Sequence, residues 1–223
     1  MSGIFGILNE NKVTNPLLQK LQQQSENAAH HCVSVATVTS KRIEWQQTED
    51  LHRLLQELSI GGRFGIVYTH EARMSESDVD VRHASFYATE HIAVVHSGVI
   101  ENHDELREEL INLGYEFEGK TDSEVILRLI SRYLDIGLSP KEAISVTIMR
   151  LCGFFALITL FAGEHEQLIA ARRGIPLAIG VGEECFYVSS DVSSLKPFSR
   201  QIMRLEDSCP VVLSSVKTEV SNV

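Results

Sequence analysis

The order of the apolar segments constrains the fold most: strand-like segments stand at both ends of the chain and helix-like segments in the middle. Ile4–Leu8, Cys32–Val38, Phe64–Thr69 and His91–Val95 are short and apolar, as strands are. Six more such segments, separated by turn residues, end the chain: Phe154–Leu160, Gln167–Arg172, Pro176–Val181, Cys185–Ser189, Arg200–Leu205 and Pro210–Leu213. Because strands and helices do not alternate, this order predicts an α+β layered domain. The nearly continuous apolar strands predict that helices cover the outer faces of the sheets.

Three helix starts mark the middle of the chain. Each has a polar capping residue followed three positions later by a glutamate: Asn102 and Glu105, Thr121 and Glu124, Ser139 and Glu142. Gly114 is expected to end the first of these helices. Leucine spacing predicts further amphipathic helices near residues 17–24 and 51–58, and residues 70–82, which lack periodicity, are expected to form a long surface loop.

Charge and composition narrow the class of protein. The chain has 20 Lys and Arg against 30 Asp and Glu, a net charge of −10, which repels phosphate backbones, so nucleic acid is not an expected partner. No window approaches the ~18 apolar residues of a membrane-spanning helix, and the start MSGIFGILNENK lacks a secretory signal. The four scattered cysteines form no CxxC pair. We expect one cytoplasmic domain over residues 1–223, with reduced thiols and no membrane partner.

The N-terminus offers a candidate nucleophile. Ser2 follows the initiator Met1 directly and precedes a strand-like segment that begins at Gly3. Removal of Met1 would leave a hydroxyl and a free α-amine on one residue, and the amine can then act as the base for the hydroxyl. Met-Ser is also a common protein start, so this feature alone does not establish a catalytic role.

Two further motifs make the pattern specific. His96-Ser97-Gly98 leads into Val99–Leu110, and Thr121-Asp122-Ser123-Glu124-Val125 opens the second predicted helix. Together with Gly65-Ile66, Gly153–Leu157 and Leu168–Asp191, these segments resemble the class II glutamine amidotransferase domain. The resemblance covers nearly the whole chain and is closest to the N-terminal glutaminase domain of glutamine–fructose-6-phosphate aminotransferase (glucosamine-6-phosphate synthase).

The resemblance implies both a fold and a reaction. The fold is the four-layer αββα sandwich of N-terminal nucleophile hydrolases, with two mainly antiparallel sheets between helix layers. The reaction is hydrolysis of glutamine to glutamate and ammonia through a thioester on an N-terminal cysteine, and no cofactor is expected. In that family an Asn-Gly pair forms the oxyanion hole, an Arg-Trp loop holds the substrate, and an Asp binds the substrate α-amine.

The sequence departs from the family at most of these positions. Ser2 stands where the family has its nucleophilic Cys, Ser97 where it has the oxyanion Asn, and His70-Glu71 where it has Arg-Trp. Gly98 and Asp122 are retained. A thiol has a pKa of ~8.5 and a hydroxyl is far less acidic, while loss of one oxyanion donor lowers turnover by ~10²–10³. Glu71 would also repel a substrate carboxylate.

These departures predict a pseudoenzyme, in which the glutaminase framework is kept as a non-catalytic binding or regulatory module. Its expected ligand is glutamine or another small amide or amino acid, and a protein partner is also open. Two alternatives stand beside this interpretation. The chain is an active amidohydrolase that uses Ser2, or it is one piece of a complete amidotransferase whose sugar-isomerase domains lie outside it.

The retained residues also have purely structural explanations. Asp122 is explained about equally well by capping of a helix, and Gly98 by a tight turn between strand and helix. Ser97 keeps a hydroxyl that can donate to an oxyanion, although its side chain is shorter than that of Asn. His30, His31, His70, His83 and His96, with Cys32, border the motif segments, but they lack the i,i+4 or HxH spacing of metal ligands, so no metal site is predicted.

Overall fold

Two antiparallel sheets form the centre of the molecule in the computed structural model, which describes residues 3–9, 31–48, 62–71, 85–163 and 166–214. For His31, Cys32, His70 and Glu71 the description covers the backbone alone. In these residues the strands are β1 Gly3–Asn9, β2 His31–Thr39, β3 Arg42–Thr48, β4 Phe64–Glu71, β5 Phe86–Ala88, β6 Ile92–Ile100, β7 Gly153–Phe161, β8 Gln167–Arg173, β9 Ala178–Val181, β10 Cys185–Ser189, β11 Gln201–Arg204 and β12 Val211–Ser214. The helices are α1 His103–Asn112, α2 Asp122–Asp135 and α3 Pro140–Arg150, followed by a 3-10 helix at Val192–Leu195.

The first sheet has the strand order β11-β9-β10-β1-β4-β2-β3, and the second has the order β12-β8-β7-β6-β5. They pack face to face across one apolar core, because alternate residues of each strand point toward the other sheet. The sheets approach each other closely at Gly6 of β1. A Cβ there would lie 3.0 Å from Leu168 Cδ1 and 3.2 Å from Ile158 Cγ2. Glycine therefore allows the central strand of the larger sheet to pack closely on the smaller one.

The helices cover the outer face of the five-stranded sheet. On β6, Ala93 and Val95 belong to the core between the sheets, while Ile92 and Val94 pack against the helices. Both faces of this strand are therefore apolar, which explains its nearly continuous hydrophobic sequence. The outer face of the seven-stranded sheet carries a third cluster that includes Leu195 of the 3-10 helix.

An ion-pair network joins the three helices. The Glu109 carboxylate of α1 accepts hydrogen bonds from Arg150 of α3 and from Arg132 of α2. These two guanidinium groups, Arg150 first, lower the pKa of Glu109 from 4.5 to about 2. One carboxylate thereby ties the N-terminal helix of the layer to both of the others.

The α+β sandwich agrees with the expectation from the sequence. All ten predicted strands are present, with ends that differ by a few residues and β6 extended to Ile100. Two strands were missed: β3, which is mostly exposed, and β5, which has 3 residues. The helices expected near residues 17–24 and 51–58 lie outside the described residues, as does most of the expected loop at 70–82, whose first two residues instead extend β4.

The helix starts differ in how far they follow the prediction. Ser139 and Glu142 form a complete capping box at α3. Thr121 caps α2 by accepting from the Glu124 amide. The cap pair expected at α1 was wrong. The Asn102 side chain instead joins the start of α1 to the end of α3, because its Nδ2 donates to Arg150 O and its Oδ1 accepts from the Cys152 amide, both at 2.9 Å.

Candidate functional site

Gly98 is held in a backbone conformation that only glycine adopts without strain. Its φ is +112°, and a Cβ built on it would lie 2.1 Å from Phe154 O and 2.9 Å from Phe155 Cα of the neighbouring strand. A tight turn between strand and helix does not explain Gly98, because β6 continues past it to Ile100 and pairs with β7 throughout. The positive φ is therefore a local twist within a paired strand.

Ser97 lies on β6 opposite Ala156 of β7 and is half-buried. The alternation of Ala93 and Val95 places it on the face that meets the other sheet. His96 faces the opposite side, toward the helices, where its Nδ1 lies 2.7 Å from Ser123 Oγ. The strand thus presents Ser97 and His96 to two different layers of the sandwich.

Asp122 is the first residue of α2 and is buried, with a 6% exposed surface. Its Oδ1 lies 3.7 Å from Nδ1 of His103, the first residue of α1. The side-chain capping hydrogen bond of α2 is made by Thr121. A carboxylate in the first turn is favoured by the helix dipole, and this position holds a negative charge close to the end of β6.

The loop before Asp122 is held by buried and half-buried side chains. The Arg107 guanidinium donates to Gly119 O at 2.7 Å and to Thr121 O at 3.2 Å. The fully buried Glu124 carboxylate accepts from the amides of Glu118, at 2.7 Å, and of Gly119, at 2.9 Å. Backbone donors and acceptors of this loop are therefore paired with charged groups, which form stronger hydrogen bonds than neutral ones.

Tyr87 of β5 contacts α2 near Glu124. Its hydroxyl accepts from Arg128 at 3.3 Å, and Arg128 also pairs with Glu124 one helical turn before it. Burial, and then the nearby Glu124 carboxylate, raise the pKa of the Tyr87 hydroxyl well above its usual 10. The tyrosine is therefore neutral at physiological pH.

Two of the residues singled out from the sequence, His70 and Glu71, lie at the end of β4 in the other sheet. Their side chains lie outside the described residues, as does Ser2. In the backbone, Thr69 of β4 pairs with Gly3 of β1, and His70 pairs with Cys32 of β2. The end of β4 and the first described residue of β1 therefore lie side by side.

Sequence reasoning missed the side chains that organise this region. His96 was noted as the first residue of the motif His96-Ser97-Gly98 and was rejected as a metal ligand. Ser123, Arg107 and Glu124 received no role in the site. The available signal was one ionisable residue, His96, at the end of the apolar run that begins at Ile92. Among the described residues no three His, Cys, Asp or Glu side chains are grouped so that they could hold a metal ion. In the same part of the chain, no helix has the length and apolar character needed to cross a membrane.

Comparison with known proteins places this arrangement in a family. A family model described as a glutamine amidotransferase domain matches residues 71–197, which is more than half of the chain. The chain is 42% identical over 219 residues to a glutamine–fructose-6-phosphate aminotransferase (isomerizing) from Bartonella henselae, a match that covers 96% of this chain and 35% of that protein. It therefore spans about a third of the length of this relative.

Solved structures share the fold. The allosteric regulatory enzyme of purine biosynthesis superposes with a TM-score of 0.75 at 21% identity, covering 95% of this chain and 47% of that one. Glutamine phosphoribosylpyrophosphate amidotransferase from B. subtilis superposes with a TM-score of 0.73 at 18% identity, with the same coverage of 95% and 47%. These comparisons confirm the sandwich fold that the sequence resemblance implied. The chain belongs to the class II glutamine amidotransferase domain family.

Proposed function

We propose that this domain binds glutamine, or a closely similar small amide, without hydrolysing it at an enzymatic rate, and that it acts as a binding or regulatory module. The observation that carries the proposal is the replacement at Ser97 within an otherwise preserved frame. Gly98 has a positive φ that leaves no room for a Cβ beside β7, and Asp122 is the first residue of α2.

The change at Ser97 removes the amide group that the family aims at the oxyanion. A serine hydroxyl can donate one hydrogen bond, but it is shorter than an asparagine side chain, and β6 is fixed at this point by its pairing with Ala156. The strand therefore cannot move to compensate without breaking its ladder. Loss of one such donor costs ~10²–10³ in turnover.

Two further changes act in the same direction. Ser2 offers a hydroxyl where the family attacks with a thiol, and a hydroxyl needs a base before it becomes an effective nucleophile. His70-Glu71 replaces the pair that holds the substrate, so a guanidinium partner for the substrate carboxylate is lost and a negative charge is introduced. The free energies of these losses are not additive, but each of them disfavours catalysis.

The retained carboxylate supports binding. Asp122 is buried at the start of a helix, where its carboxylate would accept a charge-assisted hydrogen bond from a ligand ammonium. Ligand binding at Asp122 does not require a nucleophile. We therefore propose that recognition of the amino-acid end of the ligand has outlasted the chemistry at its amide end.

The context of the domain is a second part of the proposal. The relatives that it matches are about three times as long and are named for amino transfer to fructose 6-phosphate. We propose that this domain senses glutamine for a protein of that kind, either within the same chain or as a separate partner. A cytoplasmic location follows from this role.

The test is a calorimetric titration of the purified protein with glutamine. The solution in the calorimeter cell is then analysed for glutamate by chromatography. We expect saturable binding with no glutamate formed, and binding weakened at least about tenfold in Asp122→Asn, since hydrogen bonds to charged groups contribute about 1.5–3 kcal/mol. Glu105→Gln, an exposed carboxylate on α1, is the matched control and should bind as the wild type does.

Two results would overturn the proposal. If glutamine does not bind, the proposal of a glutamine-binding module fails. If the wild type forms glutamate and Ser2→Ala does not, the domain is an active amidohydrolase. That result also requires an intact mass that shows Met1 removed, because a retained Met1 blocks the α-amine.

A further inference from the structure

A buried hydrogen bond joins the two chain segments that carry the retained groups. His96 Nδ1 lies 2.7 Å from Ser123 Oγ, and both side chains are buried, with exposed surfaces of 3% and 0%. His96 is two residues before Gly98 on β6, and Ser123 directly follows Asp122 on α2. These partners are 27 residues apart in the sequence.

The apolar surroundings of this hydrogen bond favour one position of β6 relative to α2. The interface between β6 and α2 is apolar, with Val94 on the strand and Ile126 and Leu127 on the helix all fully buried. A polar group in such surroundings is costly unless it is hydrogen-bonded. If the strand shifted along the helix, both the imidazole and the hydroxyl would lose this partner, so the pair favours a single register of strand against helix.

Each partner is rigidly connected to its neighbour in the site. On the strand side, Gly98 pairs with Phe155 of β7, and the His96 amide donates to Ser85 O at 2.9 Å. On the helix side, the loop that precedes Asp122 is held by Arg107 and Glu124, as described above. The contact of His103 with Asp122, at 3.7 Å, links α2 to the start of α1, the helix that follows β6.

We infer that His96 and Ser123 are positioning residues, whose hydrogen bond sets the separation between the Gly98 backbone and the Asp122 carboxylate. A ligand with an amine at one end and an amide at the other contacts both groups only when this separation matches its length. A ligand that has the amine alone is insensitive to it. The inference rests on the proposed function for the identity of the ligand but not for the role of the pair.

The test compares two ligands across four proteins. Dissociation constants for glutamine and for norvaline, which has the same amino-acid end without the amide, are measured for the wild type, Ser123→Ala, Ser123→Thr and Thr147→Val. Thr147 is the matched control, a fully buried hydroxyl on α3 that makes no hydrogen bond with the described residues. We expect Ser123→Ala to weaken the binding of glutamine at least tenfold and the binding of norvaline less than twofold. Ser123→Thr should restore glutamine binding, and Thr147→Val should change the affinity for neither ligand.

A measurement without ligand separates this inference from the proposed function. Relaxation-dispersion NMR of the free proteins should show new exchange at the amides of Gly98 and Asp122 together in Ser123→Ala, and at neither in Thr147→Val. If the wild type does not bind glutamine, the proposed function fails and the NMR comparison decides the positioning role. Equal weakening of both ligands in Ser123→Ala, or unchanged relaxation at both amides, would overturn the inference. Where the added methyl of Ser123→Thr lowers Tm, the comparison of Ser123→Ala with Thr147→Val decides.

Discussion

Replacement of Gly98 by alanine tests whether the strand that carries Ser97 is held as described. The left-handed backbone costs an L-residue about 1–2 kcal/mol. The new Cβ would also lie 2.1 Å from Phe154 O and 2.9 Å from Phe155 Cα, both of them backbone atoms of a paired strand. Relieving such an overlap costs a further 1–3 kcal/mol or so. We expect a total near 3 kcal/mol or more, which is roughly 6–12 °C in Tm for a domain of this size.

Gly114→Ala is the matched control for this variant. Gly114 also has a positive φ, +90°, but among the described residues no heavy atom beyond its chain neighbours lies within 4 Å of its Cβ position. The two variants share the backbone strain and the change in unfolded-chain entropy, so the difference between them reports the contact with β7 alone. Urea denaturation of both should show Gly98→Ala less stable than Gly114→Ala by about 2 kcal/mol. Equal losses would refute the close packing of Gly98 against β7.

Two other expectations concern the helix layer. Because the folded pKa of Glu109, about 2, lies below its usual 4.5, its ion pairs stabilise the fold above pH 4.5 and that contribution is lost as the pH falls toward 2. Glu109→Gln should therefore be less stable than the wild type at pH 7, by about 1 kcal/mol for so accessible a group. In urea titrations this difference should shrink between pH 4.5 and 2, and a constant difference would contradict the ion pairing with Arg132 and Arg150. Ser139→Ala should lower the unfolding free energy by about 1 kcal/mol through loss of the capping box with Glu142, and an unchanged thermal midpoint would show that this cap contributes nothing.

The sequence predicted most strands because their residues are buried on one or both faces. β3 was missed for the opposite reason: of Arg42–Thr48 only Ile43 is buried, since this strand forms the edge of its sheet. β5 was missed because a strand of 3 residues carries no periodicity. Apolar pattern therefore located the central strands and the edge strands β11 and β12. It failed at the other two edge strands, β3, which is mostly exposed, and β5, which has only 3 residues.

The candidate site was predictable in its motif positions but not in its connections. Thr121 and Glu124 have the spacing of a capping box, yet the Glu124 carboxylate turns to the amides of Glu118 and Gly119. The spacing could not reveal this, because the folding back of the preceding loop decides which donors the carboxylate meets. The bond between His96 and Ser123 joins two elements whose packing is known only from the fold.

Continuous measurement of ammonia release from saturating glutamine is the most direct test that this domain is catalytically silent. The wild type and Ser2→Ala should both release ammonia at the rate of buffer alone, because position 2 lacks a thiol and position 97 lacks an amide donor. Wild-type turnover that disappears in Ser2→Ala would contradict the account, since a serine nucleophile and a serine donor would then suffice for hydrolysis.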